Sequence, residues 1–216
     1  MPESARMKID HSDEPVRLFR SNFLEFFTHI SPVVVLIIWV PVVVFFVWRS
    51  ADQVALPAGA SRLQIPVAVL LGVFIWTLTE YVVHRFVFHY HARTPGLQKI
   101  FFMFHGVHHS QPQCKTRLVM PPAVSIPMAV LFYGIFYLVV GRLLDAPSWV
   151  PALFAGFILG YLVYDMIHYA THHFPMRSGY LRYLKRYHMQ HHFKTPERRF
   201  GVSSPLWDKV FGTMPA

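Results

Sequence analysis

A chain of 216 residues fits one domain with a short tail. It is 54% hydrophobic and 14% charged, where a typical soluble domain carries about 25% charged residues, so an ordinary soluble fold is excluded. The net charge of +9 sits on an apolar chain and reads as attraction to anionic lipid headgroups, with no nucleic-acid partner expected. The single cysteine, Cys114, excludes an intrachain disulfide and fits a reducing compartment.

In chain order, residues 1–20 read as a polar tail, with no cleavage site of a signal peptide after the first apolar run. Residues 21–30 place Phe23, Phe26, Phe27 and Ile30 at helical spacing. They read either as an interfacial helix or as a lead-in to the first span. The tail and this segment make up residues 1–30, and residues 31–216 make one membrane domain. Spans are expected at 32–48, 65–83, 121–140 and 147–167, each near the length that crosses a bilayer. Pro41 predicts a kink in the first span. Residues 49–64, with Pro57 and Gly59, read as a loop.

Basic residues test the orientation. Four lie in the N-terminal tail, five in 85–120 and eight in 173–216, against three (Arg49, Arg62 and Arg142) on the other side. The positive-inside rule therefore predicts an integral, multi-pass protein with both termini cytoplasmic. The expected fold class is all-α integral membrane: four transmembrane helices with a cytosolic, histidine-rich helical cap (84–120 and 168–216) holding a dimetal centre.

Histidines carry the chemistry. Ten of the fourteen fall into HRFVFH (His84, His89), HGVHH (His105, His108, His109), HYATHH (His168, His172) and HMQHH (His188, His191, His192). All four clusters fall on the predicted cytoplasmic side. Residues three and four apart share a helical face, so each H-x-x-H-H is expected to aim its three rings to one side, as are His168 and His172. His84 and His89 are five apart, about 140° around a regular helix; they share a site only if the helix ends or bends between them, or else each serves a different metal, and they are expected to reach the centre from different directions. Ten imidazoles exceed the roughly four to six ligands of one transition ion, which favours two ions. Imidazole suits zinc, copper, iron and nickel alike, and the lack of cysteine ligands argues against an iron–sulfur cluster. Glu80, Asp165 and His173 lie where they would support bound histidines through the other ring nitrogen. The remaining His11, His29 and His91 read as surface or packing residues.

EYVVHRFVFH (80–89), FHGVHHSQPQCKTRLVMPP (104–122), GYLVYDMIHYATHH (160–173), LKRYHMQHHFK (184–194) and FGVSSPLWDKVFGT (200–213) resemble the fatty acid hydroxylase/sterol desaturase superfamily. RLVMPP and FGVSSPLWD bring the resemblance nearer to its fatty acid 2-hydroxylase branch. It covers about residues 65–216. It implies that the ten clustered histidines hold two metal ions, expected to be iron, with zinc accommodated by the same ligands. It also implies hydroxylation at C2 of a long acyl chain, free or in a sphingolipid, by a monooxygenase using dioxygen and two electrons. No catalytic residue beyond the metal centre is expected. Cys114 stands where this branch usually has Asp.

Further expectations follow. Tyr161, Tyr164 and Asp165 precede His168 on one helix and are expected near the substrate carbonyl; the alternative for the tyrosines is an interfacial aromatic belt. Trp207 and Asp208 are expected to close the cap or to pack it. No fused haem domain is expected, so electrons come from a separate cytochrome b5- or ferredoxin-like donor. Arg182, Lys185, Arg186, Lys194, Arg198 and Arg199 would dock that donor or anionic lipid. The short, unfused form implies a bacterial inner membrane. Rival readings are a hydroxylase or desaturase acting on a sterol, carotenoid or ornithine lipid, and a membrane protein that binds metal without catalysis.

Overall fold

The computed structural model describes residues 9–55 and 63–215. Residues 1–8 of the expected tail, and 56–62 of the expected loop with Pro57, Gly59 and Arg62, lie outside the described residues. The architecture is all-α, with no strand among the described residues. In order come α1 (Asn22–Phe26), α2 (Pro32–Ala55), α3 (Gln64–Val82), α4 (Pro95–Phe101), α5 (Val107–Ser110), α6 (Pro122–Phe136), α7 (Val150–His173), α8 (Gly179–Phe193) and α9 (Leu206–Val210). Three π turns extend them: Val83–Phe88 after α3, Phe102–Gly106 between α4 and α5, and Tyr137–Leu143 after α6. Among the described residues, four helical stretches are long and apolar enough to cross a membrane: Pro32–Asp52, Gln64–Phe88, Pro122–Leu143 and Pro147–His173. By length and composition these four stretches mark an integral membrane protein. Helix α2 runs unbroken through Pro41.

The chain divides into two compact units. One comprises 32–80 and 120–166 and holds the apolar helices. Its core is the first part of α7, the most buried of the four candidate spans at 78%, against 17% for the first and third. Val33, Ile37, Val44 and Trp48 of α2, Leu70 and Phe74 of α3, and Val130 and Leu131 of α6 stay exposed, as lipid-facing positions should. Helices α3 and α7 approach closely because glycines face each other. A Cβ on Gly156 would lie 2.0 Å from Val69 O, and one on Gly72 2.1 Å from Leu153 O. Trp76 packs edge-on against Phe157 at 5.1 Å and Tyr161 at 5.4 Å.

The other unit comprises 1–31, 81–119 and 167–216, of which 9–31, 81–119 and 167–215 are described. All ten clustered histidines belong to it. Residues 9–20, expected as a tail, are bonded into this unit. Buried Gln111 donates to Asp10 Oδ2 (2.8 Å) and Glu14 O (2.9 Å) and accepts from Val16 N–H (2.8 Å). Lys115 pairs with Asp13 at 2.7 Å. Helix α1 follows, capped by Ser21, with Phe23 and Phe26 exposed. That exposure suits the interfacial reading of 21–30.

Candidate metal centre

The ten clustered histidines fall into two groups of five. His84, His89, His105, His109 and His191 form one; His108, His168, His172, His188 and His192 form the other. Within each group the facing nitrogens all lie within 4.8 Å of one another. The H-x-x-H-H segments are therefore split, contrary to the expectation that each points to one side. The i,i+4 pairs stay together (His105 with His109, His188 with His192, His168 with His172), while His108 and His191 turn to the opposite group. The physical reason is angular: positions three and four apart straddle the helix face, and two adjacent sites can divide them.

His84 and His89 converge on one group instead of arriving from different directions, because the helix leaves its regular geometry between them. Val83–Phe88 is a π turn, and His89 N–H donates to His84 O at 3.2 Å. An i→i+5 bond brings residues five apart onto one face, so both rings join the same group, with centroids 5.1 Å apart. A second π turn, Phe102–Gly106, precedes His108 and His109 in the same way.

Ring geometry fits metal. In the first group Nε2 separations are 3.1 Å for His84–His105, 3.0 Å for His105–His109, 3.2 Å for His109–His191 and 3.1 Å for His89–His191. In the second they are 2.9 Å for His108–His168, 3.0 Å for His108–His192, 3.0 Å for His188–His192 and 2.9 Å for His172–His188. Nitrogens ~2.1 Å from a shared cation and at right angles to each other would be ~3.0 Å apart. His191 Nδ1–H donates to Arg198 O at 2.7 Å, and His84 Nδ1–H donates to Phe200 O. Each of these rings then presents a bare lone pair at Nε2 toward other Nε2 atoms. A central cation satisfies five such lone pairs together, whereas protons bridge them only in pairs.

Burial keeps the rings neutral. It pushes His89 down to about 3, helped by His191 and His91. It drives His105, His108, His109, His188, His191 and His192 well below the usual histidine range, with neighbouring imidazoles adding to the effect. Neutral imidazole is the form that binds metal. Phe88 stacks on His105 at 4.9 Å, and the Phe200 ring lies 5.7, 5.5 and 5.8 Å from those of His84, His89 and His191. These two phenylalanines dry the first group. In the sequence Phe88 stands inside HRFVFH and Phe200 opens FGVSSPLWD, but neither carries a chemical signal of its own.

The other predicted site residues are placed as follows. Asp165, expected as a histidine's partner or near the substrate, directs its carboxylate to Met120 N–H (3.3 and 3.2 Å) and to the Tyr161 hydroxyl (3.2 Å). It thus holds the residues that lead into α6. Tyr161 and Tyr164 are buried against Trp76, at 5.4 and 5.7 Å, rather than set in an interfacial belt. Glu80 is buried near the end of α3. His173 belongs to neither group; its ring packs on Tyr169 at 4.5 Å.

The fatty acid hydroxylase family model matches residues 69–213, a stretch that holds all ten clustered histidines. The chain belongs to the fatty acid hydroxylase family. It is 40% identical over 202 residues to the dihydroceramide fatty acyl 2-hydroxylase FAH1 of Arabidopsis thaliana, covering 94% of this chain and 81% of that one. It is 38% identical over 216 residues to the fatty acid 2-hydroxylase of Rattus norvegicus, covering 93% of this chain and 57% of the rat protein. Among solved structures it resembles full-length scs7p, of which only the hydroxylase domain is visible. The TM-score is 0.80 at 36% identity, covering 90% of this chain and 70% of that one. Metal dependence is a property of this hydroxylase family, and the two histidine groups are where this member could hold its ions.

Proposed function

We propose that this family member is a membrane monooxygenase that hydroxylates C2 of a long-chain fatty acyl group, free or within a sphingolipid or ceramide. The observation that carries this reading is the pair of five-imidazole groups in a chain similar to named 2-hydroxylases. Each group would hold one ion, expected to be iron, with His84, His89, His105, His109 and His191 binding one and His108, His168, His172, His188 and His192 the other. When bound, the ions supply the activation of dioxygen that an unactivated C–H bond requires. The chain supplies position and dryness. Its ring nitrogens are buried and neutral, and Phe88 and Phe200 exclude water from the first group. Tyr161, Tyr164 and Asp165 face the acyl carbonyl in this reading, with the Tyr161 proton held by Asp165. In this reading His173 supports the bound histidines.

The distribution of basic residues supports a cytoplasmic location for the histidines and both termini. Two electrons would arrive from a cytochrome b5- or ferredoxin-like carrier. Expression in a host lacking the activity, followed by lipid mass spectrometry, tests the reaction. Acyl chains heavier by one oxygen atom at C2 are expected, and none from His108→Ala or His191→Ala. Normal product from both variants would overturn the metal-centre mechanism.

A further inference from the structure

We infer that Asp208 is a positioning residue for the first histidine group, acting through the backbone of residues 198–201. The inference rests on the reading that this group holds an ion. Bound imidazoles are oriented by what their other ring nitrogen touches. In the first group, two of the five rings donate from Nδ1 to carbonyls of one short stretch: His191 to Arg198 O and His84 to Phe200 O. That stretch has no regular secondary structure of its own. It is held from behind by one fully buried carboxylate. Asp208 Oδ1 accepts from Phe200 N–H at 2.9 Å and from the Thr213 hydroxyl at 2.6 Å, and Oδ2 accepts from Gly201 N–H at 2.7 Å. Arg199, between the two carbonyls, has φ of 63° and donates its N–H to Thr213 O at 3.2 Å. Gly201 has no room for a side chain, since a Cβ there would lie 2.0 Å from Ser204 O.

One carboxylate thus fixes the two carbonyls that select the tautomer and aim of His84 and His191. The rings that these two carbonyls accept from, His191 and His84, both belong to the first group. The dependence on Asp208 should therefore be confined to one of the two sites.

The experiment is metal counting by mass spectrometry on the full chain, purified in detergent and loaded with iron or zinc, with helical content checked by circular dichroism. Wild type should hold two ions per chain. Asp208→Asn keeps the shape but points an amide N–H at a backbone donor. It should hold one ion, the other being bound ~10–100-fold more weakly. Placed on His84→Ala, it should cost no further metal; placed on His172→Ala, it should empty the protein. Gly201→Ala alters no carboxylate, must displace the same stretch, and should reproduce the loss of one ion; it decides the matter if Asp208→Asn does not fold. Two ions retained in the folded variants would overturn the inference, as would further loss in the His84→Ala background. Wild type without two ions would instead overturn the dimetal reading on which it rests.

Discussion

At the scale of single residues, the buried polar groups divide the labour. Arg117 shows how. It is almost fully buried and donates to Glu25, to the Thr28 hydroxyl (3.0 Å) and to Val16 O (2.7 Å). Glu25 also accepts from Leu18 N–H (3.0 Å) and Phe19 N–H (2.7 Å). Burial alone would raise the Glu25 carboxyl, but the bonds from Phe19 and His29 and the charge of Arg117 outweigh it and hold the group below its ordinary 4.5. A carboxylate with a depressed folded-state pKa contributes stability that is fully present above its unfolded value. That contribution is lost as pH falls through the folded value. Glu25→Gln is therefore expected to lower stability by ~3 kcal/mol at neutral pH, because it leaves a buried guanidinium unpaired. It should also flatten the acid limb of a thermal-melt series taken from neutral pH downward. An acid limb identical to wild type would show that the carboxylate contributes no pH-dependent stability. In the sequence, RLVMPP served only as a mark of its branch. That its arginine is anchored by a residue ninety-odd positions earlier is invisible to local spacing.

At the scale of elements, one device shapes the histidine groups and another packs the apolar helices. The π turns change which positions share a face, so the five-residue step from His84 to His89 converges instead of diverging. The glycines of α3 and α7 bring backbone onto backbone, the small-residue contact that replaces the hydrophobic effect where lipid is the solvent. The G-x-x-x-G of Gly156 and Gly160 stood in the sequence as a signal for that contact, read there only as part of an apolar run. Gly156→Leu must displace Val69 O, which a Cβ would meet at 2.0 Å. It should cost ~1–3 kcal/mol or more as overpacking, read as a lowered melting temperature in detergent. Gly134→Leu, at a site with open space around it, should melt like wild type. Equal melting of the two variants would remove the close-packing explanation.

At the scale of the whole molecule, the histidine-bearing unit also carries the basic cluster. Arg182, Arg186, Lys194 and Arg198 are exposed. Lys185 is tied to Phe174 O at 3.0 Å, and Arg199 lies over the Tyr187 ring and bonds Thr195. Docking of an acidic carrier would therefore fall to the exposed four. Reduction by a soluble acidic electron carrier should slow as ionic strength rises. Arg186→Glu with Lys194→Glu should cut the low-salt rate about tenfold and flatten its salt dependence in stopped-flow measurements. Rates unchanged by charge reversal would leave the cluster to anionic lipid.

By itself the sequence determined the class of the protein. Composition excluded a soluble fold, apolar run length marked four helices, and dense histidine motifs carried the resemblance to a hydroxylase family that the comparisons bear out. These are local properties, readable because solvent and helix period act on neighbouring residues. Only the tertiary structure decided how ten imidazoles partition into two fives, which rings share a π turn, and that Asp165 bonds Met120 and Tyr161. It alone revealed Asp208 behind two ligand-orienting carbonyls. Those facts depend on which distant segments meet: His84 with His105 and His191 in one group, His108 with His168 and His188 in the other. Pairings across 20 to 100 residues are set by packing and by shared hydrogen-bond partners, which leave no period in the chain.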